Sequence, residues 1–222
     1  MNSENLQNNF YNLAYYFGIL VFNDESKAVD HEKYHDLEVF FLNATYYARS
    51  PRFIEGLITW SIRFGLYLSP SKLRRLLKMK TLHNPHVLGS LLDIIDKKNN
   101  RGSFQIVIQM LRPLTVRQGL TTDSRIDLVR KPYPEFYKWG IVIPQYECTE
   151  NKYLRPMNYL VKNCMEMKNR ILIGSAVHAD LVTMLQKNKD NLNDLNAYRA
   201  AKIIFSERSS VNKIFDDILY VI

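Results

Sequence analysis

Residues 50–86 read SPRFIEGLITWSIRFGLYLSPSKLRRLLKMKTLHNPH, and three dipeptides inside this stretch, Ser50-Pro51, Ser69-Pro70 and Asn84-Pro85, decide the fold class. Each sets a side chain that accepts a hydrogen bond from an unpaired helical N–H directly before a proline, and proline at the first helical position forfeits no bond. Helices are therefore expected to begin at about residues 51, 70 and 85. The first carries apolar residues at Ile54, Leu57, Ile58 and Ile62, and the segment before it at Leu37, Phe40, Phe41, Ala44 and Ala48, both at the helical period. Connections of a few residues oblige neighbouring helices to pack on one another. The starts lie 19 and 15 residues apart, too irregular for a repeat family. The expectation is a helical array over residues 1–100.

Outward from this array the pattern loosens. Asn99 to Ser103 reads as a linker, and SFQIVIQMLRPL after it fits either a helix broken at Pro113 or a strand. An irregular connector is expected over residues 101–168, with one strand at 140–143 and a helical stretch from Lys152 to Lys168. Tyr133, Phe136, Tyr137, Trp139 and Tyr146 crowd around prolines there, and they are expected to cover the junction between two helical lobes rather than to stack nucleotides.

The 222 residues, 46% hydrophobic and 23% charged, suit a folded chain with a sizeable core. Cys148 and Cys164 match no metal or redox spacing and point to a reducing compartment. The apolar run at residues 13–22, LAYYFGILVF, lacks signal-peptide flanks and is too short to span a bilayer, so a cytoplasmic protein without a membrane partner is expected. The net charge of +8 is concentrated: residues 56–122 hold eleven Lys/Arg against two Asp. Within it Arg63, Lys72, Arg74, Arg75, Lys78 and Lys80 form a candidate phosphate-binding patch, set against the plainer reading of a solvated helix face.

Residues 169–222 contain three helical stretches, at about 177–187, 195–204 and 208–219. Ala201-Lys202 is followed by eight residues and then by Val211, with Phe215 and Ile218 continuing the apolar face. This spacing resembles the helix-turn-helix of the winged-helix superfamily, as in small bacterial repressors of the ArsR and MarR type. The resemblance implies that Ala201 lets two helices approach closely and that Val211 and Phe215 pin a recognition helix over about 208–219. Arg208, Ser209, Ser210, Asn212 and Lys213 would then face the major groove, with Arg199 beside them. Phe205 stands where the superfamily usually has glycine, Glu207 stands at the usual small capping position, and LYVI at 219–222 would be one strand of a wing.

The chain also holds His31-Glu32-Lys33-Tyr34-His35, the H-E-x-x-H pattern of zinc hydrolases. Such zinc chemistry needs a dry, apolar helix, and here Asp30, Lys33 and Asp36 surround His31 and His35, so a capped, solvated first helical turn is the expectation. His83 and His86 read as loop residues near a cap, and His178 as a satisfied helix histidine. No dinucleotide, P-loop or nucleophile-elbow motif is present.

The sequence thus predicts a mainly α protein, an amino-terminal helical array plus a carboxyl-terminal winged-helix-like, tri-helical domain with little β structure. The expected function is that of a non-enzymatic DNA-binding transcriptional regulator or autoregulating antitoxin of a defence operon. It would need no cofactor, would bind double-stranded DNA as a homodimer, and would offer the array to a protein partner. The alternative is a helical protein–protein interaction protein without a nucleic-acid role.

Overall fold

All three proline-marked positions are helix starts in the computed structural model, which describes residues 3–20, 30, 33–79, 81–99, 102–118, 131–145, 150–188, 195–215 and 218. The array consists of α1 (Ser3–Tyr16), α2 (Leu37–Tyr47), α3 (Pro51–Phe64), α4 (Pro70–Lys78), α5 (Pro85–Asn99) and α6 (Gln105–Gln118). Ser50 Oγ accepts from the Phe53 N–H at 3.2 Å, and Asn84 Oδ1 accepts from His86 and Val87 at 3.0 and 3.2 Å. α2 begins after the histidine-rich run rather than within it. Its cap is Asp36, whose Oδ1 accepts from Val39 N–H at 3.0 Å, so residues 33–35 precede the helix.

Aromatic rings fill the array. Phe17 stacks on Phe40 with centroids 4.4 Å apart, Phe41 stacks on Trp60 at 5.7 Å, and the Trp60 indole N–H donates to the Phe17 carbonyl at 2.9 Å. Each such fully buried side chain contributes on the order of 1.5–3 kcal/mol of transfer free energy.

The connector joins the same core. α6 runs helically through Pro113, whose ring is exposed. α7 (Pro134–Lys138) and Trp139 pack on α5, where Gly89 leaves room for the indole: a Cβ there would lie 2.5 Å from three of its atoms. Of the aromatic group, Phe136 and Trp139 are buried in the core beside α5, Tyr133 is partly buried against it and Tyr137 is exposed, rather than all covering a junction between lobes; Tyr146 lies outside the described residues. The strand expected at 140–143 is instead one antiparallel bridge, Pro132 with Pro144, flanked by Tyr133 N–H to Ile143 O at 2.9 Å and Gln145 N–H to Lys131 O at 2.9 Å. Pro132 and Pro144 form the non-hydrogen-bonded pair, where a missing N–H costs no bond to the partner, and the pairing goes no further because the chain enters α7 at Pro134. Two further bonds, Leu20 N–H to Tyr153 O and Arg155 N–H to Gly18 O, both 2.8 Å, tie α8 (Glu150–Tyr153) to the end of α1. α9 (Met157–Asn163) and α10 (Met165–Ile173) complete this body, and one continuous core runs from Phe10 to Met167.

α11 (Ala176–Lys187), α12 (Ala197–Ile203) and α13 (Arg208–Asn212) enclose a second, smaller core of Leu181, Met184, Leu185, Ala200, Ala201, Ile204, Val211 and Phe215. The helix expected over 208–219 is interrupted rather than continuous: α13 ends at Asn212, a tighter turn with Ile214 N–H bonded to Val211 O at 3.1 Å follows, and Phe215 and Ile218 are helical again, with Ile218 N–H bonded to Ile214 O at 3.0 Å; residues 216, 217 and 219 lie outside the described residues. Among the described residues there is no strand, and residues 219–222, where a wing strand was expected, lie outside them. No helix among the described residues is long and apolar enough to cross a membrane.

Candidate nucleic-acid interface

The turn between α12 and α13 runs through Phe205, the one non-glycine among the described residues with positive φ, at 51°. L-residues other than glycine, asparagine and aspartate rarely adopt this left-handed backbone, so a bulky side chain holds it only where surrounding contacts impose it. Two contacts do so. The Phe205 ring packs against the first core, and Arg75 of α4 donates from Nη1 to the Phe205 carbonyl at 3.1 Å while its Nη2 pairs with Glu207 at 3.0 Å. Phe205 thus has a backbone conformation that glycine more commonly supplies.

Around the turn the residue types separate by face. Ala200, Ala201, Val211 and Phe215 are buried, whereas Arg199, Arg208, Ser209, Asn212 and Lys213 are exposed and Ser210 is half-buried. The Arg208 guanidinium lies over the Tyr198 ring at 5.7 Å, which holds it at the surface near the start of α13.

The six residues of the expected basic patch divide. Arg63, Arg74 and Lys78 are exposed, and Lys80 lies outside the described residues. Arg75 is half-buried and engaged with the turn. Lys72 is not a surface cation at all: its ammonium is buried and pairs with Asp36, Asp180 and Glu38. α4 places Lys72 one residue before Leu73, on the edge of its buried face, and only three converging carboxylates make that burial affordable.

This buried network crosses from the array to the carboxyl-terminal helices. Arg170 of α10 donates to both oxygens of Glu38 (2.9 and 2.8 Å), to both oxygens of Asp180 (2.8 and 2.8 Å) and to the Tyr67 carbonyl (2.7 Å). Burial alone would raise Glu38, but the charges of Arg170 and Lys72 hold it down at about 2. Asp36 responds the other way: burial, with Glu38 and Asp180 nearby, outweighs Lys72 and pushes it up to about 6. A second cluster lies alongside, where Glu166 accepts from Tyr16 hydroxyl at 2.6 Å, His35 N–H at 2.9 Å and Lys187 Nζ at 2.7 Å. Neither network was expected from the sequence. The available signal was the isolated charge in an apolar context, Glu38 in LEVFF and Asp180 in HADLV, which needs a partner if its neighbours are buried.

Among the described residues one group has the spacing of metal ligands. Asp36, Glu38 and Asp180 converge, but the Lys72 ammonium stands among them. His31 lies outside the described residues. The His35 ring is half-buried, which lowers its pKa, and its Nε2 is engaged by the Asp30 carbonyl at 2.9 Å. His86 is buried inside α5 rather than in a loop, its Nδ1 2.7 Å from the Trp139 carbonyl. His178 is held by Ser175 Oγ at 2.8 Å.

The chain matches no family model, no curated protein and no solved structure.

Proposed function

We propose that the protein is a non-enzymatic DNA-binding regulator that presents α13 to the major groove of duplex DNA. The observation that carries this reading is the α12–α13 turn: a left-handed Phe205 between a buried Ala201 and a buried Val211, with Arg208, Ser209, Asn212 and Lys213 all outward. A short helix held by two apolar anchors and fronted by arginine, serine, asparagine and lysine has the side chains that reach phosphates and base edges. Residues 170–222 hold seven Lys/Arg against six Asp/Glu, a small excess, so α4 or a second copy of the chain supplies the remaining positive charge. Regulation of an operon, as repressor or antitoxin, is the role such a protein would fill.

The test is fluorescence anisotropy with duplex DNA across a salt series. Arg208→Ala is expected to weaken specific binding by about 1–3 kcal/mol, and Lys213→Ala to weaken it for all sequences while reducing the salt slope by about one. Absence of duplex binding by the unaltered protein at low salt would overturn the reading. That result would favour the second one, a protein-interaction unit, for which Tyr198 and Ile203 on α12, 58% and 40% exposed, offer an apolar surface.

A further inference from the structure

α4, the first turns of α11 and the turn into α13 line a cleft of about 320 Å³. We propose that this cleft is a site for a phosphate group, occupied in the DNA complex by a backbone phosphate; the DNA part rests on the reading above. Its volume is at the small end of ligand sites, suited to a compact polar group rather than a large apolar one.

The chemistry of the lining is what selects an anion. Two carboxylates border the cleft, Asp180 and Glu207, and both are turned to cations: Asp180 is taken by Arg170 and Lys72, Glu207 by Arg75. The further acid of the network, Asp36, gives its oxygens to the Val39 N–H, the Tyr34 hydroxyl and Lys72, and it does not line the cleft. What remains to face a ligand is donors. Arg74 is exposed and makes no ion pair among the described residues, and the hydroxyls of Ser206 and Ser210 have no partner there either. Ser71 Oγ is bonded to Ser69 Oγ at 3.1 Å and keeps a free hydrogen or lone pair according to which one donates.

A guanidinium fork and hydroxyls lining one cleft, from α4, α13 and the turn before α13, match the oxygens of a tetrahedral oxyanion, which offers several acceptors at once. Lys72 and Arg75 are taken up by Asp180 and Glu207 and are not available as ligands, which leaves Arg74 as the cation of the site. The strap from Arg75 to Phe205 and Glu207 holds the two walls in register, so the donors are positioned before anything binds.

The experiment uses the full chain with two probes: labelled duplex DNA over a salt series, and inorganic phosphate alone followed by amide and arginine Nε chemical shifts. Arg74→Ala is expected to weaken duplex binding about tenfold whatever the sequence and to lower the salt slope by about one, with Arg74→Lys recovering part of both. Inorganic phosphate is expected to shift the Ser206 and Ser210 amides, and Arg74→Ala to abolish that shift. Ser210→Ala, a small change at a half-buried position, serves as a second variant. If the unaltered protein binds duplex but Arg74→Ala and Ser210→Ala keep its affinity and salt slope, and phosphate shifts nothing, the cleft is not a phosphate site and the DNA reading stands. If duplex does not bind while phosphate still shifts these amides in an Arg74-dependent way, the site holds and serves a small phosphate compound. If neither probe binds, both proposals fall.

Discussion

Replacing Arg170 by alanine is expected to lower folding stability by about 4 kcal/mol. The guanidinium makes five hydrogen bonds of 2.7–2.9 Å, four of them to the carboxylates of Glu38 and Asp180, in a site where it is 1% exposed. Its loss changes a network of three acids and two bases into three acids and one base, so the buried surplus of negative charge doubles. Stripping a buried charge of its partner costs about 3–5 kcal/mol, and here two carboxylates lose one. Lys72 still touches both and the Ser69 N–H still reaches Glu38 at 2.8 Å, which keeps the expected value in the middle of that range rather than at twice it. Single domains hold about 5–15 kcal/mol in all, so the variant would stand close to unfolding. Urea unfolding followed by circular dichroism reads the effect: at a slope of about 2 kcal/mol per molar, the midpoint falls by about 2 M. Arg170→Lys recovers only part, because an ammonium cannot bridge two carboxylates in bidentate fashion. Arg170→Met combined with Glu38→Gln removes one charge of each sign and is expected to be more stable than the two single effects would sum to. A midpoint shift below about 0.5 M for Arg170→Ala, or strict additivity in the double variant, would refute the view that these charges are buried and mutually paired.

Two further predictions concern the same body. Glu38, held near 2 against an ordinary 4.5, adds stability that is present above 4.5 and lost as the pH falls toward 2; Asp36, raised to about 6 from 3.8, favours the fold when protonated, so its contribution is present below 3.8 and lost as the pH rises through 6. Measured by thermal unfolding, the unaltered protein should therefore gain stability relative to Asp36→Asn as the pH falls from 7 toward 3.8, and lose it relative to Glu38→Gln as the pH falls from 4.5 toward 2. The lowered pKa of half-buried His35 opposes the first limb in the unaltered protein, so the differences between variants carry the test, and a difference from Asp36→Asn that is level between pH 7 and 5 would contradict this balance. Gly89→Ala places a methyl against the Trp139 indole, whose N–H is bonded to Asp93 at 2.7 Å, and should cost about 1–3 kcal/mol with a change in tryptophan emission. Unchanged stability and emission would mean that α7 does not pack on α5 as described.

The helix starts at Pro51, Pro70 and Pro85 were legible because capping and proline geometry are local: the residues that end the helix are neighbours in the chain, and no distant contact is needed to read them. The apolar faces of α2, α3 and the carboxyl-terminal helices were legible for the same reason, since period alone places Leu57 beside Ile58 or Val211 beside Phe215 on one side. Local signals failed where the outcome depended on what came to meet them. Gly140 to Ile143 has the composition of a strand, but a strand needs a partner ladder, and the chain that would supply it turns into α7 at Pro134 after a single bridge. Lys72 reads as one more cation in a basic run; it is buried because Asp36, Glu38 and Asp180, from two other parts of the chain, surround its ammonium. Arg75 likewise is a surface charge by pattern and a strap by structure, reaching across 130 residues of sequence to the Phe205 carbonyl. The sequence by itself therefore determined which segments are helices and which of their faces are apolar. Only the tertiary structure decided which charges are free to meet a ligand, because the energy of a charge is set by the groups around it in space, and those come from anywhere in the chain.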